Sequence, residues 1–114
     1  MEPHFKLWLQ DGDQLTMSDY RAALLQQVCQ SGSLSAAAAT MGLSYRRAWG
    51  KVRQIEQQLG YQVVRSEAGG IGGGTSRLTV EGEQLLERYL AFQAACRAAI
   101  QAAYARSFPG GGPG

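Results

Sequence analysis

Arg46, Arg47 and Arg53, with Ser44, Tyr45, Trp49 and Gly50 between and beside them, are the residues of this 114-residue chain best suited to chemistry. That chemistry is anion recognition. A planar guanidinium grips two phosphate oxygens or the N7/O6 edge of guanine at once, and a serine hydroxyl adds a further donor. On a helical wheel of about 100° per residue, Ala48, Val52, Ile55 and Leu59 of segment 45–59 make one apolar stripe. Arg46, Gly50, Arg53 and Gln57 lie opposite it, with Arg47 and Gln54 on one shoulder and Tyr45 and Trp49 on the other. Taken alone, such a basic face could simply be solvated; the residues before it say otherwise.

Segment 32–44 reads as a short helix, a turn and the start of a second helix. Ser33 can cap the first helix, and Ala36 to Ala39 combine the best helix propensity with almost no bulk, so two helices can cross closely. Gly42 can take the left-handed conformation that closes a helix, Leu43 plugs the corner, and Ser44 caps the next. This is the arrangement of a helix-turn-helix, with 45–59 as the recognition helix.

Two β-prone runs follow, Tyr61 to Arg65 and Arg77 to Thr79, around a tip with five glycines in the six positions 69–74. They predict a β-hairpin wing, whose bare backbone can pass close to a phosphate chain. A nucleotide-cradling loop fits poorly, because no Gly-Lys-Ser/Thr ends the run; a merely flexible loop is the remaining alternative for the glycines. Arg65 and Arg77, at the hairpin base, suit phosphate contact better than the tip.

The pattern Gly-Leu-Ser-Tyr-x-x-Ala-Trp at 42–49, the glycine run at 69–74 and Leu-Thr-x-x-Gly at 78–82 resemble the N-terminal DNA-binding domain of ModE-type molybdate-responsive transcription regulators, and more broadly the LysR-type helix-turn-helix. The resemblance spans roughly residues 5 to 106. It implies double-stranded DNA as partner, and a candidate contact set of Ser33, Ser44, Tyr45, Arg46, Arg47, Trp49, Gly50, Arg53, Arg65, Gly72, Gly73 and Arg77. Regulators of this type carry molybdate-binding modules after the DNA-binding domain, whereas this chain ends at Gly114. No cofactor or molybdate ligand is therefore assigned to any residue here. The expectation is either a separate molybdate-sensing protein or a regulator without that ligand, and molybdenum uptake or use genes are the targets the resemblance implies.

Charge is distributed to match. The chain totals only +2, but residues 44–79 carry six cations against two acids, residues 1–43 sum to −2, and the rest balances. The positive field is local to the proposed DNA face. A single histidine and scattered acids offer no catalytic constellation, so no enzyme is expected. Cys29 and Cys96 lack metal-ligand spacing and read as reduced core or interface residues. Neither a secretory pattern nor a membrane-length apolar run is visible, so a cytoplasmic protein with no membrane partner is expected.

The remaining segments must position that face. Phe5 to Leu9 alternates as a strand expected beside the wing, Asp11-Gly12-Asp13 marks a turn, and Ser18 caps a helix over 19–30 with Leu24 and Val28 inward. Thr79 caps a last helix reaching about Arg106, with Glu81 and Glu83 in its first turn. Leu86, Tyr89, Leu90, Gln93, Cys96, Ile100, Ala103 and Tyr104 follow a three-four spacing along it and are expected to pack on a second copy; the alternative is a helix folded back on its own domain.

The predicted architecture is thus mainly α with a small β-wing: a winged helix-turn-helix over 1–79, a long dimerisation helix over 80–106 continuous with it, and a disordered Gly/Pro tail over 107–114. The function expected is a homodimeric, sequence-specific DNA-binding regulator. A winged-helix protein-interaction module anchored by Trp49, Tyr45 and Tyr61 is the alternative, and salt sensitivity separates the two.

Overall fold

In the computed structural model, which describes residues 1–67 and 75–110, four helices begin on a hydroxyl that accepts a hydrogen bond from the amide three residues on. Ser18 accepts from Arg21, Ser33 from Ala36, Ser44 from Arg47 and Thr79 from Gly82, at 2.9–3.2 Å. Each cap satisfies an amide that has no partner within its own helix. The helices are α1 (Asp19–Ser31), α2 (Leu34–Thr40), α3 (Tyr45–Leu59) and α4 (Val80–Ser107). Between α2 and α3, Gly42 takes a φ of 69°, which a side chain would strain, and the Leu43 amide folds back onto the Ala38 carbonyl at 2.8 Å. This tight corner fixes the angle between the two helices.

The core gathers where these helices cross. Ala48, Val52 and Ile55 of α3 are wholly buried against Leu24, Leu25 and Val28 of α1 and Leu34, Ala37 and Ala38 of α2, while Leu59 packs at the edge. Leu24 and Val28 face inward as their spacing predicts. Arg21 does too: its guanidinium is buried and Nη1 donates to the Leu15 and Thr16 carbonyls at 3.0 and 3.3 Å. Tyr20, on the expected inward stripe, stays 44% exposed.

Two small antiparallel sheets complete the fold. β1 (Trp8–Asp11) pairs with β2 (Gln14–Ser18) across the Asp11-Gly12-Asp13 turn, with a register irregularity at Leu9/Gln10. The N-terminal strand therefore does not lie beside the wing; its partner is the next segment, where Leu15 and Met17 turn inward. β3 (Val64–Glu67) and β4 (Thr75–Leu78) form the wing, with Val64 opposite Leu78 and Glu67 opposite Thr75. The expected glycine tip, including Gly72 and Gly73, lies outside the described residues, as does 111–114 of the expected tail.

The stripe of α4 expected to meet a second copy is largely covered by the chain itself. Leu86 and Tyr89 are buried in the core, Gln93 donates to Asp19 at 2.9 Å, Ile100 lines a cavity with Pro3 and Phe5, and the Tyr104 hydroxyl donates to the Met1 carbonyl at 2.8 Å. Leu90 and Cys96 are half-buried on the same side, and Ala103 is exposed. The physical reason is the N-terminal segment, which runs back along α4 with Pro3, Phe5 and Leu7 turned toward it and the Arg97 guanidinium 5.7 Å from the Phe5 ring. Cys29, expected to be buried, is an exposed free thiol.

One carboxylate joins these parts. Asp19, the first residue of α1, accepts from the Leu7 amide at 3.2 Å and from the Tyr89 hydroxyl at 2.6 Å, besides Gln93. The Tyr89 oxygen also stands 2.9 Å from the Leu7 carbonyl, but its single proton makes the shorter, charge-assisted bond. Burial raises the Asp19 pKa, but the bonds from Tyr89, Leu7 and Gln93 and the Arg97 charge together outweigh it and hold the carboxyl below its ordinary value. Burial and the facing carboxylate push the Tyr89 phenol well above its usual range. A carboxyl depressed in the fold stabilises fully above its unfolded pKa, about 3.9, and loses that contribution as pH falls through the folded value. Asp19→Asn should therefore cost about 1–3 kcal/mol at pH 7. It should also flatten the loss of stability below about pH 4; urea unfolding at pH 7 and pH 3 measures both.

Candidate nucleic-acid interface

The outward face of α3 is assembled from side chains the core does not need. Arg46, Gly50, Arg53 and Gln57 are all exposed, as are Arg47 and Gln54, opposite the buried Ala48, Val52 and Ile55. None of Arg46, Arg47, Lys51 and Arg53 has an ion-pair partner among the described residues. Ser44 is exposed at the tip; its oxygen accepts from the Arg47 amide at 3.2 Å, which leaves the hydroxyl proton free to donate outward. Ser33 stands likewise at the start of α2, accepting from Ala36.

The aromatics do different work from that expected of them. Trp49 is half-buried against the core, and the Arg53 guanidinium lies 5.8 Å from its ring, so Trp49 acts as a platform that pre-orders Arg53. Lys51 is drawn aside in the same way, its ammonium 5.1 Å from the Tyr20 ring on α1. Tyr45 is 51% exposed beside Arg46 and remains available for contact.

Gly50 sits in the middle of this face with an ordinary helical φ, and a methyl added there would meet nothing within 4 Å. Glycine inside a helix costs about 0.5–1 kcal/mol relative to alanine.

The wing is held to the recognition helix at its base. Glu56 of α3 accepts from the Val63 and Val64 amides at 2.8 and 3.2 Å, Thr79 donates its hydroxyl to the Gln62 carbonyl at 2.7 Å, and the Ser76 amide bonds the Gly32 carbonyl at the end of α1 at 3.0 Å. Gly82 lets the first turn of α4 press on Val63, whose carbonyl oxygen a side chain would strike. Sequence reasoning missed Glu56, Ser76 and Gly82 as parts of the site's frame. The one available signal was that Glu56 interrupts the basic helix next to the apolar stripe.

Arg65 and Arg77 face each other across the wing and are 61% and 68% exposed. Like charges so placed repel, and Glu67 relieves them from 3.5 and 3.7 Å. Exposed pairs of this kind are worth only about 0–1 kcal/mol, so a phosphate can displace the carboxylate. Fold and face thus bring Ser44 to Arg53 together on one helix and hold Arg65 and Arg77 on a hairpin bonded to that helix. No helix of the described residues is long and apolar enough to cross a membrane, and no three His, Cys, Asp or Glu side chains among them could share a metal ion.

Comparison with known proteins gives a consistent picture. A family model described as "bacterial regulatory helix-turn-helix protein, lysR family" matches residues 21–83. The molybdenum-pterin-binding protein MopB of Rhodobacter capsulatus is 42% identical over 78 residues, covering 68% of this chain and 29% of that protein. The DNA-binding transcriptional dual regulator ModE of Escherichia coli K12 is 33% identical over 89 residues, 78% of this chain and 34% of that one. The molybdenum transport protein ModE of Herbaspirillum seropedicae is 38% identical over 64 residues, 56% of this chain and 24% of its own length. The chain spans about a third or less of these relatives.

If Arg65 and Arg77 exchange Glu67 for phosphates, Glu67→Gln should tighten binding to a random duplex. It should steepen the dependence of log K on log salt by up to about 0.9 for each arginine so released. A fluorescence anisotropy titration across salt concentrations measures this, and an unchanged slope would place the wing arginines off the DNA.

Proposed function

Because the chain belongs to the lysR family of bacterial regulatory helix-turn-helix proteins, we propose that it is a homodimeric, sequence-specific DNA-binding regulator whose α3 enters the major groove. The observation that carries this reading is the row of unpaired guanidinium groups at Arg46, Arg47 and Arg53 on a helix whose other side is the protein's core. Arginines near the N-terminal end of such a helix suit base edges, with Ser44 and the wing on the flanking phosphates. The names of the relatives, which mention molybdenum transport and molybdenum-pterin binding, support molybdenum uptake or use genes as the targets. The competing aromatic-anchor reading loses its main residue, since Trp49 is half-buried beneath Arg53.

Pairing of two copies is supported on a different face of α4 from the stripe expected. Phe92, 47% exposed, is followed by exposed Ala95, Ala99 and Ala102 at spacings of three, four and three. That rhythm puts them on one side of the helix, away from Leu86, Tyr89 and Gln93, and the small alanines let two helix backbones approach closely. Two recognition helices would then address a two-fold related operator.

Selection of genomic fragments by the purified protein should recover a two-fold symmetric motif. Arg46→Ala plus Arg47→Ala should weaken binding to it by about 30-fold or more; retention of the motif at full affinity would refute the assignment of α3. Phe92→Glu should leave the circular dichroism spectrum intact, while sedimentation shows monomers and selection yields half-sites only. A variant that still sediments as a dimer would place the interface elsewhere.

A further inference from the structure

Seven glycines lie among the described residues, and six have a reason inside the fold. Gly12, Gly32, Gly42, Gly60 and Gly110 take positive φ, and Gly82 has the Val63 backbone against it. Gly50 has neither, although it stands inside a helix where glycine is disfavoured. Its surroundings on the outward face are Arg46 one turn before and Arg53 one turn after, both exposed and without carboxylate partners among the described residues. The reason for a missing side chain there lies outside the molecule, in a surface that must come closer to the α3 backbone than a Cβ would permit.

We infer that Gly50 is a specificity-determining position: the point where the α3 backbone meets the base edges of duplex DNA, setting how deeply the helix enters the major groove. This rests on the reading of α3 as the DNA-reading helix. Arg46 and Arg53 are seven residues apart, about 10 Å along the helix axis, and so straddle the glycine. With no Cβ between them, both guanidinium groups descend far enough to bond base edges through paired hydrogen bonds. A methyl at position 50 lifts the helix, and the same arginines stop at phosphates, which carry affinity but no sequence information. The chain thus accepts a weaker helix in exchange for discrimination between sequences.

The test uses the full chain, its selected operator and a scrambled duplex of equal length. Gly50→Ala should raise Tm by roughly 2–6 °C. It should weaken binding to the operator at least about tenfold, as expected from loss of one good base contact. Affinity for the scrambled duplex and its salt slope should stay unchanged, and Gly50→Leu should bring operator affinity down to the scrambled level. Operator binding by Gly50→Ala at wild-type strength would overturn the inference, as would equal weakening on both duplexes. A wild-type protein that prefers no duplex would instead overturn the DNA-binding reading itself, and the inference with it.

Discussion

A half-buried charge must be solvated by the chain itself when water is excluded, and that requirement at Asp19 organises the molecule. The donors that meet it come from separate parts of the chain: the Leu7 amide from the segment leading into β1, and Tyr89 and Gln93 from successive turns of α4. Asp19 belongs to α1, the helix on which α2 and α3 pack. Apolar contacts alone would let α4 slide or rotate over α1 at small cost, whereas directed bonds to one carboxylate admit a single arrangement. The orientation of α4 relative to α3 follows from it.

The recognition face is defined as much by what it lacks as by what it carries. Acids near α3 have been given structural partners: Glu56 is turned back onto the Val63 and Val64 amides, and Glu67 sits between the wing arginines. Arg21, a cation that could have weakened the core, is spent on the Leu15 and Thr16 carbonyls. What is left pointing outward from α3 is nearly all cationic or amide-bearing, so a chain of formal charge +2 presents a locally strong field.

The legible parts of the sequence were those governed by neighbours along the chain. Ser44, Gly42 and Gly60 bound α3, and the Ala48, Val52, Ile55 stripe gives its inward side, because capping and helical spacing are local. Pairings set by distant segments were not legible. Phe5 to Leu9 alternates correctly, yet alternation gives no partner, and β2 supplied the edge that the wing was expected to supply. The stripe on α4 was real but ambiguous: any apolar stripe must be covered, and residues 1–7 of the same chain do the covering that a second copy was expected to do. Gly82 reads as an ordinary helix residue until Val63 is seen against it.

The way α4 is held has a mechanical meaning. Its first three turns are embedded, Gln93 is the last residue bonded to the Asp19 joint, and about 20 Å of rod continues beyond it, at 1.5 Å per residue. The N-terminal segment is fastened along this free part and, through Met1 and Tyr104, near its end, as a splint would be. A splinted rod behaves as a lever with its fulcrum at Asp19, so a small tilt there is magnified at the tip. In a pair of copies joined along such rods, the distance between the two recognition helices is geared to that one joint. The spacing of half-sites the pair can span is then a property of rod stiffness and fulcrum angle, set far from any residue that touches a base.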